Sequence, residues 1–399
     1  MTPRVFLIIL DGLGVGDLPD SREFGDHGRN TLANLAEAVG GVSLPTLEGL
    51  GLGRVQPFAG MDAARPVRGA YGRMAEKSRG KDSTTGHWEL MGLVLEQPFP
   101  LFPDGFPADF LAALGERTGF GFLGNEAASG TEIIERLGDE HVASGKLIVY
   151  TSADSVFQVA AHEDVLPLDG LYAFCKEARA MLQGELGVSR VIARPFAGLS
   201  GSYRRTSGRR DFSLPPPGET LLDRLRAAEL PVAGIGKVKD LFAGRGFSLH
   251  MPSKSNAEGM ERLAEVQAES SGPGLVMLNL VDFDMLWGHR RDPEGYAEGL
   301  LAFDRALAEF LGSLRPADYV VITADHGNDP TGPGSDHTRE YVPLLVAHRG
   351  LERAVDLGRR PGFGDLAETL AEAYGLAPFG VGESFWPRLQ ATDDAGGEA

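Results

Sequence analysis

Acidic residues follow three short apolar segments of this chain, and histidines stand near them. The segments and the residues after them are Val5 to Leu10 before Asp11, Leu275 to Val281 before Asp282 and Asp284, and Tyr319 to Thr323 before Asp325 and His326. His289 comes five residues after Asp284, and His337 comes eleven residues after His326.

Carboxylate oxygens together with neutral imidazole nitrogens suit Mn or Zn, whereas an all-oxygen site would suggest Mg or Ca. A lone histidine is more often a surface or core residue. This cluster instead predicts a metal site, with roughly the seven ligands that two ions with open positions need.

A possible nucleophile lies in the segment Gly80 to Glu89, which reads GKDSTTGHWE. In such a small, hydroxyl-rich turn a hydroxyl can approach a metal, and helix-terminal N–H groups can hold an anion. Ser or Thr followed by Gly is also a common turn or helix cap. Spacing alone leaves Ser83, Thr84 and Thr85 as equal candidates, with His87 and Glu89 as residues that shape the turn.

The elements that position these residues follow an α/β pattern. Short runs rich in Val, Ile and Leu alternate with segments of helical period, as in an α/β fold with a mostly parallel sheet. The segment Tyr296 to Leu311 has apolar residues at helical spacing and predicts a helix between two of the strands. Because ligands bind at the carboxyl ends of parallel strands, the Asp residues are expected to meet at one edge of the sheet.

The middle of the chain is expected to form an inserted α+β cap domain. Proline-containing segments at 98–107 and 215–217 bracket it, and such punctuation commonly marks a domain junction. Within it, Leu147 to Thr151 and Arg190 to Ala193 predict strands, and Thr131 to Leu137 predicts a helix. The expected organisation is a core of residues 1–97 and 218–399 with a cap of residues 98–217.

Composition excludes several classes of partner. The 399 residues include 56 acidic and 38 basic side chains, for a formal charge of −18, which argues against nucleic acid or an anionic membrane. The single cysteine, Cys175, fits a reducing compartment and a buried position in a helix. The first apolar run is too short for a membrane span, so a cytoplasmic location is the default. Oligomeric state is not readable from this composition.

Several longer motifs resemble those of the phosphopentomutase family. They are Asp11-Gly12, the segment Gly80 to Glu89, Ala128 to Glu132, Tyr150 to Ser155, Val281 to Asp284 with Gly288 to Arg290, Thr323 to Pro330, and Gly334 to Glu340. The resemblance covers nearly the whole chain. One departure is Gly12, at a position where many members carry Ser.

The resemblance implies a doubly wound α/β core like that of alkaline phosphatases, with two metals and Thr85 as the residue that carries the phosphoryl group. One metal would be held by Asp284, His289 and His337, and the other by Asp11, Asp325, His326 and Thr85. The implied reaction interconverts ribose 1-phosphate and ribose 5-phosphate, and the 2-deoxyribose pair, in nucleoside catabolism. The implied cofactors are two Mn²⁺ ions, with glucose 1,6-bisphosphate or a similar sugar bisphosphate as activator.

Binding of the sugar phosphate needs cations for the phosphate and a polar group for the sugar, and the candidates are Asp154, Arg194, Arg209 and Lys237. Arginine is favoured for the phosphate because a guanidinium binds it at two points. Two alternatives share the metal residues: a phosphohydrolase, or another mutase of the same superfamily such as a cofactor-independent phosphoglycerate mutase. A third alternative is a metal-binding module without catalysis, in which Thr85 would be idle.

Overall fold

The computed structural model describes residues 2–152, 154–269, 272 and 274–390. Contacts divide the chain into two compact units, the first formed by residues up to Gln97 and from Pro216 onward, the second by Pro98–Pro215. The cap expected from the sequence spans residues 98–217.

The strands are β1 Arg4–Leu10, β2 Gly69–Met74, β3 Phe122–Ala127, β4 Leu147–Thr151, β5 Val156–His162, β6 Arg190–Ala197, β7 Arg204–Arg205, β8 Arg210–Ser213, β9 Val232–Ile235, β10 Leu249–Met251, β11 Gly274–Leu280, β12 Asp318–Thr323, β13 Val342–Ala347 and β14 Ala354–Arg360. The α-helices are α1 Thr31–Ala38, α2 Pro45–Leu50, α3 Leu52–Val55, α4 Ser83–Leu90, α5 Ala108–Thr118, α6 Gly130–Ser144, α7 Leu168–Met181, α8 Leu221–Ala227, α9 Val238–Leu241, α10 Asn256–Glu269, α11 Pro293–Gly312, α12 Gly364–Ala373 and α13 Trp386–Gln390. Short 3₁₀ turns span Ser21–Phe24 and Gly184–Leu186, and a π-helical turn spans Phe283–Gly288.

The first unit is built on a sheet with the strand order β10-β9-β11-β1-β12-β13-β2-β14. The strands from β10 to β12 run parallel, whereas β13 pairs antiparallel with both of its neighbours. Every residue of β1, β11 and β12 is buried, as expected of parallel strands covered on both faces. The α/β, mostly parallel core predicted from the apolar runs is therefore confirmed.

The second unit contains a mixed sheet in the order β3-β4-β5-β6-β7, with β8 also paired to β6. Alternate side chains point to opposite faces of a strand, and two apolar clusters form accordingly. Val149, Val159 and Val191 join one cluster with residues of α5 and α7, including the buried Cys175. Ile148 and Ala160 join the other, with residues of α6. The sheet thus packs helices on both faces.

Among the helices of the described ranges, none combines the length and the apolar character needed to cross a membrane.

Candidate active site

Three neighbouring parallel strands bring the acidic residues to one edge of the sheet. β1 lies between β11 and β12, and the register pairs Ile9 with Asn279 on one side and with Thr323 on the other. The residues that follow these strands therefore emerge side by side. Asp11, Asp284 and Asp325 are all buried there, so the convergence that the strand-end pattern predicts is present.

One cluster of possible metal ligands consists of Asp11, Asp325 and His326, whose ligand atoms lie within 4.8 Å of one another. His326 Nε2 is 3.2 Å from Asp11 Oδ1 and 3.5 Å from Asp325 Oδ2. The other ring nitrogen, Nδ1, donates to the carbonyl of Gly327 at 3.0 Å. A hydrogen bond of this kind fixes the tautomer and leaves Nε2 as the ligand atom.

A second cluster consists of Asp284, His326 and His337. His337 Nε2 lies 3.2 Å from Asp284 Oδ1, and the His326 and His337 rings stack with centroids 3.9 Å apart. His289 joins this cluster, with its Nε2 atom 3.2 Å from both Asp284 Oδ2 and His337 Nε2. Its Nδ1 donates to the carbonyl of Ser335 at 2.5 Å. His326 thus belongs to both clusters, a sharing that the sequence did not indicate.

A π-helical turn explains how Asp284 and His289, five residues apart, can meet. The amide of His289 donates to the carbonyl of Asp284 at 2.9 Å, which is an i→i+5 hydrogen bond. In an α-helix residues at this spacing point in different directions, whereas the wider π turn brings them to the same side. The turn follows directly on β11, so both side chains reach the edge of the sheet.

Burial and like charges give these groups unusual proton affinities. Burial, with the nearby Asp325 and Asp284 carboxylates, raises the pKa of Asp11. Burial acts against ionisation of Asp325 as well, but His326 and His87 lower the pKa of Asp325 to about 2. Burial would lower the pKa of His289, yet its hydrogen bond to Asp284 raises that pKa to about 9. Protons and a cation therefore compete for the same atoms.

The residues fit a divalent cation. Neither carboxylate oxygen of the fully buried Asp11 has a well-aligned hydrogen-bond donor among the residues that the structure describes. A buried carboxylate without donors is costly unless a positive charge accompanies it. Three carboxylates and three imidazoles form a mixed oxygen and nitrogen donor set of the kind that Mn and Zn accept.

The hydroxyl-rich segment lies next to these clusters, at the start of α4. Ser83 Oγ is 3.1 Å from His326 Nε2. A Cβ atom added to Gly86 would lie only 2.1 Å from the carbonyl oxygen of Asp325. The helix therefore packs directly on the turn that carries two of the candidate ligands, and only glycine fits at the contact.

Asp82 caps this helix and holds the Thr85 hydroxyl. Its Oδ1 accepts from the amides of Thr84 and Thr85 at 3.0 and 3.1 Å, and its Oδ2 accepts from Thr85 Oγ1 at 2.5 Å. Sequence reasoning did not single out Asp82, although Asp before Ser and Thr is a helix N-cap signal. Asn328 was also missed. Its side chain donates to Asp284 Oδ1 at 2.6 Å.

The candidate substrate residues occupy both units. In the second unit Arg194 Nε donates to Gln158 Oε1 at 3.0 Å, and Arg209 makes a forked ion pair with Asp211, with both distances 2.9 Å. The exposed Asp154 lies 3.7 Å from Arg190. In the first unit Lys237 is the N-cap residue of α9, just after β9.

Known proteins that resemble this chain share nearly its full length. The model of the metalloenzyme superfamily matches residues 3–378. Phosphopentomutases of Carboxydothermus hydrogenoformans and Desulfitobacterium hafniense are 52% and 53% identical to it, each over 97% of this chain and 99% of the relative. The chain belongs to the phosphopentomutase family. The phosphopentomutase of Dictyoglomus turgidum, 51% identical over 97% of this chain and 98% of its own, is a further relative.

Membership of the phosphopentomutase family confirms the resemblance drawn from the motifs, and with it the expectation of an enzyme of the isomerase class. Among solved structures, a phosphoglycerate mutase of Leishmania mexicana is 14% identical with a TM-score of 0.49, over 96% of this chain and 97% of that one.

The backbone explains the unexpected glycine beside Asp11. Gly12 has φ +82°, and an added Cβ would lie 2.9 Å from Cβ of Asn328. Its amide donates to Asp325 Oδ1 at 3.2 Å. Glycine adopts this left-handed conformation without strain, so Gly12 helps join two of the strand-end carboxylates.

Proposed function

We propose that this chain interconverts ribose 1-phosphate and ribose 5-phosphate, and the 2-deoxyribose pair, through a phosphothreonine at Thr85. The observation that carries the proposal is the meeting of two ligand clusters through His326, beside the helix that begins with the hydroxyl-rich segment. Full-length relatives named phosphopentomutase support the choice of reaction.

Two divalent cations, Mn²⁺ by family resemblance, would neutralise the phosphoryl oxygens and lower the pKa of the Thr85 hydroxyl. One would be held by Asp284, His289 and His337, and the other by Asp11, Asp325, His326 and Thr85. The fit rests on the mixed donor set and on the carboxylate of Asp11, which has no well-aligned hydrogen-bond donor among the described residues.

Thr85 carries the phosphoryl group between the two ends of the sugar. In the first step the bond from phosphorus to Thr85 Oγ1 breaks as a bond to the free sugar hydroxyl oxygen forms, which gives a sugar bisphosphate. The proton of the sugar hydroxyl ends on Thr85 Oγ1, and Asp82 Oδ2 accepts the resulting hydroxyl hydrogen bond, as it does in the structure at 2.5 Å. In the second step a bond forms from Thr85 Oγ1 to the phosphorus at the opposite end of the bisphosphate, the bond from that phosphorus to the sugar oxygen breaks, and the Thr85 proton passes to the released sugar oxygen. Glucose 1,6-bisphosphate or a similar bisphosphate restores phosphorylated Thr85 after any loss to water.

Residues of the second unit are proposed to bind the phosphate that is not being transferred. Arg194, Arg205 and Arg209 all act electrostatically on the hydroxyl of Tyr150, so three guanidinium groups are gathered near one point of this unit. Arginine binds phosphate oxygens with a planar, forked geometry. Asp154 contacts the sugar, and Lys237 in the first unit contributes a further cation. Phosphothreonine persists through the cycle only where water is excluded from it.

The test is to incubate the protein with Mn²⁺ and ribose 1-phosphate, with and without glucose 1,6-bisphosphate, and to measure ribose 5-phosphate and free phosphate. We expect mostly ribose 5-phosphate, and none with Thr85→Ala. Thr369→Ala is the matched control because Thr369 is also a buried helical threonine, bonded to the carbonyl of Asp365. It should keep activity. Mostly free phosphate would indicate a phosphohydrolase, and full activity of Thr85→Ala would refute the phosphothreonine.

A further inference from the structure

Arg339 is a buried arginine two residues after His337, and only 2% of it is exposed. Its guanidinium binds the backbone carbonyls of three alternate residues of one loop. Nη1 donates to the carbonyls of Ser78 and Gly80 at 2.9 and 2.7 Å, and Nη2 donates to that of Glu76 at 2.9 Å. This loop connects β2 to α4, so the guanidinium fixes the path of the chain just before Thr85.

The last of these carbonyls belongs to the residue that packs against the Thr85 hydroxyl. A Cβ atom added to Gly80 would lie 2.9 Å from Thr85 Oγ1. A shift of the Gly80 peptide would therefore be felt directly by Thr85. The opposite side of the loop is held by Glu89, whose carboxylate accepts from the amides of Lys77 and Ser78. Arg339 and Glu89 thus hold the carbonyls and the amides of the same loop.

The charge of Arg339 is already compensated within the protein. Nη1 lies 2.8 Å from Glu76 Oε2, and Nη2 lies 3.0 Å from Asp20 Oδ2. The guanidinium also stacks over Phe24, with its carbon 4.8 Å from the ring centroid. A buried guanidinium with two carboxylate partners has no free face for a substrate phosphate, so its role is different from that of Arg194 or Arg209.

We propose that Arg339 is a positioning residue that ties the segment carrying His337, before β13, to the loop that precedes Thr85, and so keeps the Thr85 oxygen in line for transfer. The inference rests on the proposed role of Thr85. Misplacement of a reacting group by about 1 Å can lower a rate by about 10²-fold. Arg339→Met should therefore lower kcat for sugar phosphate interconversion by about 10²-fold and leave KM unchanged.

Arg4→Met is the matched control. Arg4 is also buried, forms a forked ion pair with Asp318 at 2.8 and 2.7 Å, donates to a backbone carbonyl, and stacks over Phe6 at 4.8 Å. It lies at the first residue of β1, whereas the candidate ligands follow the last. Arg4→Met should lower the melting temperature as much as Arg339→Met but leave kcat unchanged.

Amide exchange of the metal-free protein gives a readout that does not depend on activity. In Arg339→Met, amides of residues 75–85 should exchange at least about tenfold faster than in wild type, and those in Arg4→Met should not, because local opening follows local contacts. Arg339→Lys should fall between wild type and Arg339→Met in kcat, since an ammonium keeps the charge but cannot reach three carbonyls as a fork.

Each possible result supports or refutes either the positioning role of Arg339 or the proposed function. Loss of kcat with faster loop exchange in both Arg339 variants, and not in Arg4→Met, supports the positioning role. A raised KM with unchanged kcat, equal losses in Arg4→Met, or wild-type kcat in Arg339→Lys would overturn it. If Arg339→Met does not fold, Arg339→Lys carries the comparison. Absence of interconversion by wild type would instead refute the proposed function, and unchanged loop exchange in Arg339→Lys would still refute the loop contact separately.

Discussion

Gly86→Ala tests whether the contact between α4 and the Asp325 turn sets up the site. Gly86 follows Thr85, and an added Cβ would lie 2.1 Å from the carbonyl oxygen of Asp325. Ordinary van der Waals contact begins at 3.4 Å, so the two backbones must move apart by about 1 Å. Neither partner can rotate away, because the helix start is capped by Asp82 and the turn follows β12.

The expected consequences are a large loss of rate and a moderate loss of stability. Overpacking of a well-packed interior costs about 1–3 kcal/mol. Separation of the Thr85 helix from the Asp325 turn by about 1 Å should lower kcat by about 10²-fold. The alanine itself favours a helix by about 1 kcal/mol relative to glycine, so steric overlap must outweigh this gain.

Kinetics and denaturant unfolding of Gly86→Ala and Gly49→Ala give the comparison. Gly49 also lies within a helix, α2, but among the described residues no atom beyond its chain neighbours and its own helix backbone lies within 4 Å of an added Cβ. Gly49→Ala should therefore be at least as stable as wild type and fully active. If Gly86→Ala keeps both wild-type kcat and wild-type stability, the contact does not position Thr85 and the reasoning is wrong.

Three further predictions concern buried ionisable groups. Asp11→Asn removes a carboxylate whose pKa is raised by burial and by Asp325 and Asp284. It should raise the melting temperature of the protein in EDTA yet weaken Mn²⁺ binding by at least about tenfold in calorimetric titration. Burial lowers the pKa of His141. Unfolding then takes up a proton below pH 6.5, so the free energy of unfolding should fall as the pH drops below that value. Urea unfolding at a series of pH values measures the slope of this fall, which corresponds to at most one proton and should be smaller in His141→Gln. Glu89→Gln places an amide donor against backbone N–H groups. Its free energy of unfolding, measured by urea denaturation, should fall by about 3 kcal/mol, whereas a loss below about 1 kcal/mol would contradict the role of the carboxylate as acceptor.

The strands and the residues at their ends could be predicted from the sequence because the signal for them is local. A run such as Val5 to Leu10 that is apolar at every position predicts a strand buried on both faces, and β1 is buried throughout. Neighbouring parallel strands then bring the residues after them together, whatever lies between in sequence. This is why Asp11, Asp284 and Asp325 could be expected to meet.

Other features depend on tertiary contacts that no local pattern encodes. β13 was not predicted to run antiparallel between β12 and β2, because strand direction follows from the connections. The π turn after β11 has no propensity signal of its own. Arg339 stood in a recognised motif, but its partners at Glu76, Ser78 and Gly80 are more than 250 residues away. Only the folded chain could show that it holds the loop before Thr85.

The three strand-end carboxylates differ in how far the protein itself compensates them. Asp325 accepts from the amide of Gly12 and lies 3.1 Å from His87 Nδ1. Asp284 accepts from Asn328, and His337 and His289 hold its pKa well below the usual value despite burial. Asp11 has a raised pKa and no well-aligned donor in the described part of the chain.

Because of this difference, the stability of the protein and its affinity for metal depend differently on each carboxylate. A carboxylate that the protein already compensates contributes to the fold in every state, and a cation must compete with its existing partners. The carboxylate that the protein compensates least destabilises the metal-free fold most and gains most from a cation. Asp11 is therefore the ligand at which the cost to folding and the gain on metal binding are most tightly linked. Because of that linkage, Asp11→Asn should raise the stability of the metal-free protein and lower its affinity for the cation.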